Sequence, residues 1–404
     1  VDNCLFNNLS KKPGMAIGDV NAETAITIEN SRFVNCQAGD QGLYIYETDT
    51  DVATFNFIEQ NNVIAFVDAN LTKTLTLKAG TYDLKSVNIT TDSGAAIAIA
   101  EDAEVTIFVA GDVKLNGKTA GIEVPDSSKL TIEGVAETRS ADKFGNLNVV
   151  ANGGFGIGGI GAEVTIKNTT IDYICGWPIQ PLFINDPNYG KSEPEGYSAI
   201  GGAKIVLENV EIKKAEGGSK AAAIGNRYWQ STDITIKNSI LGDIFGGNAS
   251  AAIGGSRYNK VNKQSINIAI EGSTIANAVG GTYGAGIGSG YDTYCATNDS
   301  NAVNKIEIST STITAKGGKY AAGIGTGHHA AALTGSIDAA SKINATSGDE
   351  SYCDESGYGR LNTVAQGIGY GSVDANCEFK GAVVTFSVAG KVIDIPSVLV
   401  TSAD

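Results

Sequence analysis

Ten side chains in this sequence have the chemistry of a recognition site: Trp177, Tyr189, Arg227, Tyr228, Trp229, Arg257, Tyr258, Tyr291, Asp292 and Tyr294. Aromatic rings stack on the C–H faces of sugars, and Arg and Asp beside them exchange charged hydrogen bonds with hydroxyls, so the mixture suits carbohydrate. It also suits a plainer task, because Tyr and Trp pin long loops to a scaffold through one apolar and one polar end. Catalysis has thinner support. Hydrolysis by a carboxylate pair needs two acids about 5 to 10 Å apart, for which Asp292 with Asp354 or Glu355 are the candidates. A lyase would set Arg227, Arg257 or Arg360 beside a cation-held uronate. No nucleophile motif or phosphate loop stands out, and the many Gly-x-Gly strings follow a structural period instead, which argues against a nucleotide site.

Metal chemistry is weakly represented. His328 and His329 are adjacent, and neighbours in extended chain point opposite ways, so one ion can hardly use both; they read as solvated loop residues. The acidic cluster Asp349, Glu350, Asp354 and Glu355 is the best candidate for Ca²⁺, but it lacks the spacing of a calcium loop and reads as an exposed polar segment. No cofactor is expected, with Ca²⁺ the one ion this acidic cluster could serve.

What must position these residues is a repeat. A small residue followed by Ile-Gly recurs at Ile157, Ile200, Ile224, Ile253, Ile287, Ile324 and Ile368. A second element follows most copies, as "VTIKNTTI", "IVLENVEI", "ITIKNSIL", "IAIEGSTI" and "IEISTSTI", and its alternation is that of a strand with one buried face. Alignment puts Ile166, Leu207, Ile236, Ile270 and Ile308 in one column, and Ile171, Ile212, Leu241, Ile275 and Ile313 in another. Between them stand Asn168, Asn209, Asn238, Gly272 and Thr310. Asn and Gly tolerate left-handed backbone, so this column marks a corner between two strands, with Thr310 the expected exception.

The two arms of the repeat behave differently. From Leu207 to Ile224, Ile236 to Ile253 and Ile270 to Ile287 the separation is 17 residues, and from Ile308 to Ile324 it is 16. The other arm, from Ile-Gly to the next strand, runs 7, 12, 17 and 21 residues, starting at Ile200, Ile224, Ile253 and Ile287. A path of constant length interrupted at one corner is what a parallel β-solenoid requires, because each coil must return above the last. The expected fold is therefore all-β: a right-handed single-stranded parallel β-helix with long loops from one corner. Loops leaving successive coils at one corner would stand side by side as a wall. The arm from Ile166 to Ile200 is the exception at 34 residues; it holds a loop with Trp177 and four of the seven prolines, leaving from another side.

The whole chain, 1–404, reads as one such domain, with a seam or large loop at 44–62 and closing strands at 382–404. With 51 Gly, one Met and 7% aromatics, the interior is one of Ile, Val, Leu and Ala on a turn-rich backbone. A formal charge of −15 opposes binding to nucleic acid or an anionic membrane, and no run of apolar residues is long enough for a transmembrane segment. The six cysteines, Cys4, Cys36, Cys175, Cys295, Cys353 and Cys377, form no C-x-x-C pair and read as a mixture of buried thiols and disulfides.

The G-I-G copies followed by "TITAKGG"-like strands, with "AAIAIAEDAEVTI" and "AGIEVPDSSKLTIEG" before them, resemble the glycine-rich right-handed parallel β-helix surface proteins of gut and other anaerobic bacteria. The resemblance covers about Thr74 to Gly371. In the N-terminal part, "NCLFNN" and "NSRFVN" are similar to the N-x-x-F-x-N strings of bacterial surface β-helices, matching Phe6 to Phe33. Some relatives are called carbohydrate-binding and look like the pectate-lyase architecture without always sharing its chemistry, so no catalytic residue carries over. The resemblance implies an extracellular or cell-surface bacterial protein. The expected function is binding of a glycan, or of a host or neighbour-cell surface, through the loop wall. The alternatives are a polysaccharide lyase or glycoside hydrolase with a loop-built cleft, and a structural stalk without ligand.

Overall fold

The computed structural model describes residues 5–7, 26–29, 31–34, 57–60, 63–135, 145–177, 196–227, 230–257, 265–291, 304–328, 333–348, 361–363, 367–369, 373–374, 384–388 and 391–393. Among the described residues the regular structure is β-strand alone. One lap shows the plan. Ile253–Gly254 forms a two-residue strand, the chain crosses a variable arm to Ile266–Glu271, turns at Gly272 into Thr274–Val279, and returns through 280–286 to Ile287–Gly288. Repetition stacks these pieces into an Ile-Gly sheet of ten strands, a second sheet of fourteen and a third of ten. At about 4.8 Å per coil, ten strands span roughly 43 Å.

Pairing between coils is parallel and in the expected columns. Ile166 pairs with Leu207, then Ile236, Ile270 and Ile308. Ile171 pairs with Ile212, then Leu241, Ile275 and Ile313. The Ile-Gly column runs unbroken from Ile157 to Ile368, and continues upstream through Ile122, Ile97 and Leu75. Period-2 alternation turns these aliphatics inward, where almost all are buried, and each contributes about 1.5 to 3 kcal/mol. This is a parallel β-helix. The register also pairs Phe6 with Phe33, as the matching N-terminal strings require.

Three corners close the lap, each by different physics. Between the second and third sheets the backbone is left-handed at Asn168, Asn209, Asn238 and Gly272, and also at Thr310, where φ is 48°. Thr310 is thus no exception: the corner imposes its geometry on whichever residue stands there. Next to this column lies a ladder of buried serines. The N–H of Val210 donates to Ser239 Oγ, that of Ser239 to Ser273 Oγ, that of Ser273 to Ser311 Oγ and that of Ser311 to Ser341 Oγ, each at 3.1 Å. Ser239, Ser273 and Ser311 in turn donate to the carbonyl two residues back. At the lower end, Asp338 Oδ1 accepts from Ser341 Oγ at 2.6 Å, and this bond, with those from backbone N–H groups, holds the Asp338 carboxyl below its ordinary value.

From the third sheet back to the Ile-Gly sheet the return takes seven residues in each of four coils, 217–223, 246–252, 280–286 and 317–323. From the Ile-Gly sheet to the second sheet it varies, occupying 226–231, 255–265, 289–303 and 326–332. In these coils the surplus chain leaves at one corner. Elsewhere it does not: 136–144 falls between the second and third sheets, while 178–195 and 349–360 fall between the third and Ile-Gly sheets. Of the expected seam at 44–62, only Phe57–Gln60 is described, a strand pairing parallel with Ile26–Glu29. Near the end, Val384–Val388 continues the second sheet parallel to Leu333–Ile337, and Lys391–Ile393 folds back antiparallel upon it.

Candidate functional site

The candidate site lies along the Ile-Gly sheet, where the seven-residue return and the variable arm flank the same narrow strip. Tyr197, Tyr283 and Tyr320 stand three or four places before the Ile of their coils, and Arg227, Arg257, Tyr291 and His328 three or four places after it. Arg227 follows Ile224, and its guanidinium carbon lies 4.2 Å from the ring centroid of Tyr197, which precedes Ile200. The Tyr197 ring meets Phe155 edge-on at 5.2 Å. Trp177 is joined to this group through its backbone, donating to Gly154 O and accepting from Tyr197 N–H; 38% of its surface is exposed.

Further along, Arg257 follows Ile253 and lies 5.7 Å from the ring centroid of Tyr291, which follows Ile287. Tyr291 stacks on His328 at 5.5 Å and 12°. Tyr283 stacks on Tyr320 at 5.3 Å and 10°, and the ammonium of Lys319 sits 5.3 Å from the Tyr320 centroid. Tyr283 also touches Tyr291 and His328, joining the two stacks into one cluster of four rings. Pairs of this kind add about 0.5–1.5 kcal/mol beyond area burial, and stacked cations a comparable amount.

Of the ten expected residues, Arg257 and Tyr291 are brought into contact, Arg227 stands one coil away, and Trp177 lies beside the Tyr197 end of the strip. Tyr189, Tyr228, Trp229, Tyr258, Asp292 and Tyr294 lie outside the described residues, as do Asp354, Glu355, Arg360, His329 and the acidic cluster at 349–355. The reading of His328 as a solvated residue is corrected: it is 4% exposed, its N–H donates to Tyr283 O at 2.9 Å, and its ring packs against three tyrosines. Tyr197, Tyr283 and Tyr320 are participants that sequence reasoning missed. Their signal was present in "GGTYGAGIG" and "GGKYAAGIG", where Tyr stands four places before the Ile in an otherwise small-residue return.

Two other clusters are committed to their own contacts. On the outer face of the third sheet, Tyr173 donates to Glu216 Oε2 at 2.6 Å and Lys214 pairs with Glu216 Oε1 at 2.8 Å, its ammonium lying over the rings of Tyr173 and Phe245. Burial, then the Glu216 carboxylate, push the Tyr173 phenol up, and burial does the same to the thiol of Cys175, which is free and buried. The other five cysteines lie outside the described residues. On the second sheet an open depression of about 470 Å³ is lined by Lys237, Glu271, Glu307 and Asp338 among others. There Glu271 pairs with Lys237 at 3.4 Å, and Glu307 with Lys305 at 2.8 Å. Among the described residues no group of three or more His, Cys, Asp or Glu could hold a metal ion. Among the described residues no helix is long and apolar enough to cross a membrane.

Fold and site together define a parallel β-solenoid that displays an aromatic and cationic strip along one narrow face. Compared with models of known protein families, with curated proteins and with solved structures, the chain matches none.

Proposed function

We propose that this chain is an extracellular, cell-surface β-helix of bacterial origin that binds carbohydrate, in the manner of an adhesin, along the Ile-Gly face. The observation that carries the reading is the continuity of the strip: Tyr197, Arg227, Arg257, Tyr291, Tyr283 and Tyr320 occupy one side of five successive coils. Five coils cover four steps, roughly 19 Å, a length that suits several linked sugars in a row. Tyrosine held by ring stacking is rigid before ligand arrives, so little conformational entropy remains to be lost on binding. The rings offer faces and edges to C–H groups while guanidiniums and phenols supply directed hydrogen bonds. The resemblance to carbohydrate-binding surface β-helices favours the same reading.

A glycan array tests it, with Tyr291→Ala and Tyr320→Ala beside the parent protein. Retention on at least one class of polysaccharide, weakened about tenfold (~1.4 kcal/mol) by each substitution, is expected. An empty array overturns the reading in favour of a stalk. Release of shortened products from a retained glycan would replace binding by cleavage.

A further inference from the structure

At one position the coil calls for glycine and the sequence supplies tryptophan. In four coils the return from the third sheet starts with two glycines. The N–H of the second donates to the carbonyl of the residue three places before the preceding Ile-Gly strand: Gly218 to Tyr197, Gly247 to Ala221, Gly281 to Ser250 and Gly318 to Gly284. Trp177, after Gly176, makes the same bond to Gly154. A Cβ on Gly247, Gly281 or Gly318 would lie 1.6–1.9 Å from the carbonyl oxygen of the glycine before it in this column, so no side chain fits there. Trp177 stands where the return is lengthened by 178–195, and the scaffold leaves its ring unengaged. Its surface is 38% exposed, and among the described residues the indole has no ring, cation or hydrogen-bond partner. The tyrosines of the strip differ, each lying against another ring or a cation. Ile160, three places after Ile157, leaves a second apolar side chain 37% exposed in the coil before.

From this substitution we infer that Trp177 is the stacking platform for one sugar of an extended β-1,4-linked polysaccharide of gluco configuration that lies along the Ile-Gly face; the inference rests on the glycan-binding reading. A flat indole takes up a pyranose through a ring face bare of hydroxyls. In a β-1,4-linked glucose the hydroxyls and both glycosidic bonds are equatorial, so each face presents C–H groups alone. An α-linkage is axial: it sets an oxygen on one face and winds the chain into a helix. The β-1,4 chain is instead a straight ribbon that advances per sugar by a distance close to the coil spacing. Its sugars therefore keep step with the coils, from Trp177 and Tyr197 before Ile200 to Tyr320 before Ile324. A two-torsion ring that is already part-buried loses little freedom on contact, which concentrates affinity at this position.

Cellohexaose and chitohexaose carry β-1,4 linkages, and maltohexaose carries α-1,4. At least one β-linked hexaose is expected to bind the parent protein about tenfold more tightly than maltohexaose, and to lose about tenfold on Trp177→Ala, with Trp177→Phe in between. Melting curves establish that each variant is folded. The bound hexaose should also protect Trp177 of the parent protein from oxidation by N-bromosuccinimide, read by mass spectrometry of its peptides, and this measurement serves if Trp177→Ala does not fold. Maltohexaose bound as tightly as the β-linked chains, a Trp177→Ala complex of parent affinity, or a bound hexaose that leaves Trp177 as reactive as before overturns the inference. Glycan-array hits confined to other linkages do the same, and in each of these cases carbohydrate binding stands. No hexaose bound together with an empty array removes both.

Discussion

Thr310 holds a left-handed backbone, φ 48°, at a corner where the coils above use Gly272 and Asn238. A branched Cβ in that region costs about 1–2 kcal/mol. The cost is offset by two bonds: Thr310 N–H donates to Asp338 Oδ2 at 3.0 Å, and its Oγ1 accepts from Gly272 N–H at 3.2 Å. Asn tolerates the same backbone and carries an acceptor oxygen; in this very column Asn209 donates to Asn168 Oδ1 at 2.8 Å. Thr310→Asn is therefore expected to stabilise the protein by about 1 kcal/mol, read as a higher denaturation midpoint at unchanged slope. A lower midpoint would show that the threonine hydroxyl contributes more than its backbone strain costs.

Among elements, the Ile-Gly strand is the shortest and the least tolerant. Gly288 has φ 138°, and a Cβ placed there would lie 1.8 Å from the carbonyl oxygen of Gly325 in the next coil. Neither defect can be relieved by a rotamer change, since both partners are backbone, so Gly288→Ala is expected to cost more than about 3 kcal/mol. Gly272→Ala is the informative comparison. Its Cβ would meet only the side-chain oxygen of Asn238, at 2.6 Å, which can swing aside. Equal melting points for the two variants would refute this account. That strand was legible in the sequence because Ile-Gly recurs after a path of fixed length, and the inward columns because aliphatics alternate with polar residues. The serine ladder was not, since Ser239 after Asn238 reads as an ordinary turn and its partner Ser273 lies a full lap away. Tyr283 and Tyr320 escaped for the same reason: only stacking between laps turns residues from two returns into one aromatic cluster. The burial of His328 is not legible in the sequence because it depends on Tyr283 and Tyr291, rings that stand one coil away.

At the scale of the molecule, each coil meets only the coils on either side, so stability is a sum of coil and interface contributions and a whole lap can be removed. Excision of 253–286 joins Ala252 to Ile287 and leaves every column filled. Ile224 would then face Ile287, and Ile236 would face Ile308. Asn238 would stand on Thr310 and Ser239 on Ser311, while Gly225 regains a glycine beneath it, as it has now in Gly254. The new neighbours on the outer face, Asp233 and Lys305, carry opposite charges. The shortened protein is expected to keep its β-sheet circular dichroism and cooperative melting, with scattering that reports a rod about 4.8 Å shorter. Excision of 253–270 removes the Ile-Gly strand and the second-sheet strand but keeps the third, so Thr274–Val279 would follow Ile240–Phe245 with no lap between them. That variant should not fold. If the two deletions behave alike, the coil is not the unit from which this molecule is built.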